Sequence, residues 1–228
     1  MPPAERHPPS LSPRGLAVIG WGALALAGWL FFTIAWDVAS HARLVVLDAR
    51  VAAWLHTHGH PALTALMLAV SQMNSVAGIS IMTLMFAAVL ARRREWYWLL
   101  SAVLSVLGGI ALNAMLKQAY QRARPHFDDP LVSLSSFSFP SGHTAGAAAF
   151  YGVLAAYLVS RHFEPRRRIA IIAIAILAVI LVAFSRMYLG AHYLSDVAAA
   201  AASSTAWLAL CLSAVHALSK SRLRRDAA

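Results

Sequence analysis

Long apolar stretches separated by short polar runs set the pattern of this chain. Residues 16–36, 62–91, 96–116, 140–160, 169–184 and 193–218 are dominated by Ala, Leu, Ile, Val and aromatic side chains. Runs of this length and polarity predict helices that cross a bilayer, and too few polar positions remain for a soluble core. The expected fold is all-α and polytopic, with six transmembrane helices. Between the first two, Leu44, Leu47, Val51 and Leu55 fall at helical spacing, with Asp48, Arg50 and His56 among them. That alternation predicts a short interfacial helix with those apolar residues on one side. The second stretch carries a polar patch, Ser71, Gln72, Asn74 and Ser75, expected to make interhelical hydrogen bonds or a local break.

The ends divide simply. Residues 1–15 hold five prolines and are expected to be a disordered tail. Residues 16–218 are expected to form one membrane domain, and 219–228 a basic tail. The first apolar run is too long for a signal-peptide core and no convincing cleavage site follows it, so it reads as a retained span. The composition agrees: 60% of the 228 residues are hydrophobic and 12% charged, half the charged share of an ordinary soluble domain. The single cysteine, Cys211, forms no internal disulfide.

The net charge of +10 raises the possibility of a nucleic-acid partner, and its distribution argues against one. Alternating the spans puts the N-terminal tail, the 92–94 turn, the 161–168 turn and the C-terminal tail on one side. They hold 13 of the 19 Lys and Arg residues, which marks that side, with both termini, as cytoplasmic. The opposite, outward side receives the more unusual residues. Lys117 and Arg124-Pro125 are spaced K-x6-R-P; Pro140-Ser141-Gly142-His143 open the fourth span; Ser185-Arg186, His192 and Asp196 are spaced S-R-x5-H-x3-D. Taken singly, each has a plain structural reading as an interfacial anchor, a helix start or a polar pair.

Together they describe a site for an anion. Three fixed cations with few anions nearby repel one another unless a negative ligand joins them. Arginine forks match phosphate oxygens, and lysine adds a point charge. The first turn of a helix beginning at Ser141-Gly142 offers unpaired N–H groups and a favourable dipole. If the chain is helical from His192 onward, His192 and Asp196 share a face, and the carboxylate orients the imidazole as a nucleophile. His143 then serves as the acid for the leaving oxygen. Nothing in this set calls for a metal or another cofactor. His41, His56, His58 and His60 suggest a metal site, but their spacing and the lack of a neighbouring carboxylate favour a solvated loop.

The three clusters, in this order, resemble the signature motifs of the type 2 phosphatidic acid phosphatase family, which includes membrane lipid phosphatases. The motif region runs from Lys117 to Asp196. The resemblance implies that Lys117, Arg124 and Arg186 bind phosphate with Ser141 and Gly142. It further implies that His192 forms a phosphohistidine, Asp196 orients it, His143 protonates the leaving group and no metal takes part. Many members carry glycine where this chain has Ala200, which reads as a packing difference. Asn113 is expected to make a packing hydrogen bond, and Arg122 and His126 are left open as substrate contacts.

The reading that follows is a phosphatase of the bacterial inner membrane, facing outward, acting on a lipid phosphate among membrane lipids. A polyprenyl (undecaprenyl) diphosphate is favoured over phosphatidylglycerol phosphate and phosphatidic acid. A lipid phosphotransferase or a non-catalytic lipid-binding or transport protein are the alternatives; oligomeric state is left open. Thiol labelling of single-cysteine variants in whole cells checks the orientation. Positions beside Arg124 should react with an impermeant reagent and positions beside Arg167 should not; the reverse pattern would invert the topology.

Overall fold

The computed structural model describes residues 13–226 apart from 133 and 163. Most of the expected N-terminal tail therefore lies outside the described residues, and from Pro13 the chain is helical. Eight helices follow: α1 (Pro13–Ala39), α2 (Arg43–Thr57), α3 (Pro61–Met73), α4 (Val76–Arg92), α5 (Trp96–Tyr120), α6 (Gly142–Arg161), α7 (Pro165–Tyr188) and α8 (Leu194–Asp226). No strand occurs among the described residues. Five helices are long and apolar enough to cross a membrane, and α3 with α4 make a sixth if the bent pair is one span.

The bend is where the second apolar stretch departs from a straight span. α3 and α4 meet at 52°, and local polar groups cause it. The Asn74 side-chain amide donates to the Val70 carbonyl at 2.9 Å, closing α3. Ser75 Oγ accepts from Gly78 N at 3.2 Å, opening α4. A Cβ on Gly78 would lie 2.0 Å from the Met73 carbonyl oxygen, so only glycine fits there. The same patch also supplies interhelical bonds: Asn74 accepts from Tyr151 of α6, and Ser71 accepts from Arg186 of α7.

Helix α6 occupies the centre, packed against α4, α5, α7 and α8. Its sequence explains the position. Ala145, Gly146, Ala147, Ala148 and Ala149 are all buried, and small side chains let helices approach closely where lipid provides no hydrophobic drive between them. α7 shows the opposite character. Ile169, Ile172, Ile174, Ile176, Leu177 and Ile180 are exposed, as befits a helix facing lipid on most sides. α1 lies along α8, where Phe31, Ala35 and Val38 pack with Phe139 and Ala199.

Helix α2 stands where the interfacial helix was expected, but its inward face is different. The buried residues are Asp48, Ala52 and Leu55, whereas Leu47 is exposed. Asp48 faces inward because it enters a buried ion pair, described below, while Leu47 lies on the outer surface. The packing of the bundle brings four helix ends together: the C-terminal turns of α5 and α7 and the N-terminal turns of α6 and α8.

Gly78→Ala should lower the thermal unfolding midpoint in detergent by several degrees, the effect of about 1–3 kcal/mol of steric strain. Gly22→Ala, at a position with nothing within 4 Å, should leave it unchanged. Equal midpoints for the two variants would refute the account of the bend.

Candidate active site

The site is built where these helix ends meet the 121–141 connection. Lys117 sits in the last turn of α5, and its Nζ donates to the Phe137 carbonyl. Ser141 caps α6: its Oγ accepts from Thr144 N and from Thr144 Oγ1, at 3.5 and 3.1 Å, leaving its own hydroxyl proton to donate. Ser141 N donates to the Asp196 carbonyl at 3.1 Å, which ties the start of α6 to the start of α8. A Cβ on Gly142 would meet Asn113 Oδ1 at 3.4 Å and Lys117 Cε at 4.0 Å, so this glycine lies against the lysine. Asn113 itself donates to the Pro140 carbonyl at 3.3 Å, a packing bond that holds the loop.

Arg186 is buried in the last turn of α7. One Nη donates to Ser71 Oγ, and its Nε is buried with no hydrogen-bond partner among the described residues. Neighbouring Ser185 turns away and donates to the Val182 carbonyl at 2.7 Å. After α7 the chain reverses through Gly190, whose φ of +66° suits glycine; a Cβ there would come within 3.0 Å of the Phe127 ring. The turn delivers His192, which precedes α8 instead of forming part of it. The expected helical register from His192 therefore does not hold, yet His192 Nδ1 still lies 3.4 Å from Asp196 Oδ2. The tight turn and the first turn of α8 produce the same approach.

The two imidazole nitrogens face different surroundings. Ser138 Oγ lies 3.5 Å from Nδ1 and also donates to Asp196 Oδ2. On the other edge, Arg124 Nη1 donates to His192 Nε2 at 3.2 Å. The acceptors around Nδ1 favour a proton there, and the donor at Nε2 favours a lone pair. Arg124 is otherwise held by the loops: it donates to the carbonyls of Ser136, Phe137 and Ala191 and to Ser136 Oγ. Burial pushes the His192 pKa down to about 4, against the opposing pull of Asp196. The imidazole is therefore neutral near neutral pH.

Arg186, Arg124, Lys117 and the His192 ring all lie close enough to His143 to interact with it, so the structure brings the three sequence clusters together. Two participants were not foreseen as part of it. Asp48 of α2 is buried and accepts from Ser195 N and Ser195 Oγ. Arg122 bridges Asp48 and Asp196, at 2.8 and 2.7 Å, so it faces these carboxylates. A carboxylate within an otherwise apolar helical stretch was the available signal, since such a group needs a partner. His126 is exposed. The histidines near α2 do not gather: His56 pairs with Asp129, and His58 with the Trp54 carbonyl.

A sequence profile of the PAP2 superfamily matches residues 98–220. Phosphatidylglycerophosphatase B of Bacillus subtilis strain 168 is 44% identical over 107 residues, 46% of this chain and 51% of that protein. Lipid A 1-phosphatase of Rhizobium johnstonii is 40% identical over 121 residues, 49% of this chain and 45% of the relative. The chain thus spans about half the length of the curated relatives it matches. The crystal structure of a transmembrane PAP2 type phosphatidylglycerolphosphate phosphatase from Bacillus subtilis superposes with a TM-score of 0.74 at 28% identity, covering 82% of this chain and 93% of that one. Aquifex aeolicus LpxE shares the fold, with a TM-score of 0.60 at 24% identity, over 73% of this chain and 94% of that one.

Histidine-selective ¹⁵N NMR in micelles, with His192→Gln to assign the signal, should show a neutral His192 imidazole at about pH 6, below the usual histidine midpoint of about 6.5. A His192 signal that titrates near that usual midpoint would contradict the buried placement.

Proposed function

The chain belongs to the PAP2 superfamily, and on that premise we propose that it removes a terminal phosphate from a membrane lipid. The observation that carries this reading is the charge balance of the buried cluster. Among the described residues, Lys117, Arg122, Arg124 and Arg186 face Asp48 and Asp196 as their carboxylates, and His192 between them is neutral. The surplus of two positive charges matches a phosphate dianion. Arg186 Nε, buried without an acceptor, gives that dianion a specific place to bind. Lys117, Ser141 and the α6 N-terminus supply further donors.

In this reading His192 attacks phosphorus through Nε2, the nitrogen whose lone pair faces Arg124. Arg124 Nη1 must exchange that lone pair for a phosphate oxygen when substrate binds, which uncovers the nucleophile. Binding of the phosphate dianion lets His143 enter the step protonated; the P–O bond to the lipid then breaks, and the departing oxygen takes that proton from His143. Asp196 accepts from Nδ1–H and balances the positive charge that grows on the ring. Water then attacks the phosphohistidine, His143 takes its proton, and inorganic phosphate leaves with His192 restored. No step requires a metal or other cofactor.

A lipid substrate fits the surroundings. The site lies at one end of a bundle whose outer surface is apolar, and a groove of about 400 Å³ runs between α2 and α7, lined by Val51, Trp54, Leu55, Phe184 and Met187 with Arg50 at its edge. The names of the relatives move the favoured substrate from a polyprenyl diphosphate to phosphatidylglycerol phosphate, with the diphosphate second. The proposed setting is the bacterial inner membrane, both termini cytoplasmic and the site facing outward, as the distribution of basic residues supports.

Phosphate release from phosphatidylglycerol phosphate, polyprenyl diphosphate, lipid A and phosphatidic acid at matched surface concentration tests this directly. Phosphatidylglycerol phosphate should turn over fastest, activity should persist in excess EDTA, and His192→Ala should cost about a thousandfold or more. No release from any of the four would overturn the reading. Loss in EDTA would overturn its metal-free chemistry.

A further inference from the structure

Helix α2 reaches the site through a chain of charged contacts that the phosphate reading leaves unused. Asp48 is 1% exposed. One of its oxygens accepts from Ser195 N at 2.9 Å, in the first turn of α8; the other accepts from Ser195 Oγ and from Arg122 Nη2. A carboxylate at that helix start is favoured by the unpaired N–H groups and by the dipole. Arg122 then extends its other Nη to Ser195 Oγ and Asp196 Oδ1, both at 2.7 Å. Its guanidinium also lies 4.4 Å from the centre of the Tyr193 ring. Asp196 uses its second oxygen for Ser138 Oγ and Tyr193 N, beside His192 Nδ1.

We propose that Asp48 and Arg122 are positioning residues, which set how strongly Asp196 holds the His192 imidazole and so make α2 part of the phosphoryl-transfer apparatus. The inference rests on His192 being the nucleophile. Its physical basis is competition for one carboxylate. Arg122 and the imidazole both draw on Asp196, and Asp48 takes up part of the Arg122 charge. Remove the arginine, and Asp196 is left to the imidazole alone. Remove the Asp48 charge, and Arg122 draws on Asp196 more strongly. The two changes therefore move the imidazole in opposite directions, which a scaffold role would not produce. The other charges acting on His192 are Arg124 from the loop and Arg186 from α7; His143 from α6 also interacts with it. All three stay in place in these variants.

The experiment uses the full-length protein in micelles and follows His192 by ¹⁵N NMR together with steady-state kinetics on phosphatidylglycerol phosphate. Arg122→Gln should raise the His192 midpoint by about one unit or more, whereas Asp48→Asn should lower it. Both should lower kcat by about tenfold or more, with KM within about twofold. Arg122→Lys, which keeps the charge, should recover most of kcat and the original midpoint. The Asp48→Asn/Arg122→Gln double variant keeps the net charge of this side and avoids a second unpaired carboxylate, so it serves where Arg122→Gln does not fold, and it should raise the midpoint too. An unchanged His192 midpoint in Arg122→Gln or in the double variant, with activity lost in step with thermal stability, would overturn the proposal. A wild-type protein that releases no phosphate would instead overturn the phosphatase reading, while the NMR arm would still decide the coupling.

Discussion

A surplus of positive charge at one end of an apolar bundle governs this structure. Like charges about 4 Å apart repel by about 4 kcal/mol near a protein surface, and more as water is excluded. Four cations can share such a place only if something offsets them. Two carboxylates do half of this, and they do so at one side of the cluster, around Arg122. Backbone carbonyls accept from Lys117 and from Arg124. Arg186 is left with a buried Nε that no described residue satisfies. An arrangement of this kind is costly for stability alone, which is the reason for reading it as an anion site.

The fold can be understood as the means of holding that charge. Antiparallel spans return alternate helix ends to one side. The Ala-rich α6 draws α5, α7 and α8 close enough for their ends to meet. The break between α3 and α4 places Ser71 under Arg186, and the left-handed turn at Gly190 swings His192 over Asp196. α2 closes the side with a carboxylate where an apolar residue would be expected. Each local departure from a regular membrane helix thus serves a polar contact at the site.

Much of this was legible in the sequence, for physical reasons. Membrane helices announce themselves because lipid tolerates little else, and the basic residues sort by side. The three polar clusters stood out because together they put three cations, two histidines and a carboxylate at span ends opposite the basic turns. What was not legible depended on tertiary pairing. Asp48 looked like part of a polar face, since nothing local shows that Arg122, 74 positions away, turns back to meet it. From sequence alone Arg122 stays open as a substrate contact, since nothing local fixes where its side chain turns. Ser138 and Ser195 carry no periodic signal, and the true start of α8 at Leu194 could not be told from a helix beginning at His192.

On the reading proposed above, the surplus charge holds a phosphate so that His192 can take it. Rapid quenching of the protein with a lipid phosphate labelled with ³²P at its terminal phosphate, followed by peptide mapping, tests this most directly. The account predicts an acid-labile, base-stable label on the peptide containing His192, absent in His192→Gln. Turnover with no protein-bound label at any quench time, or an acid-stable label on Ser141, would contradict it.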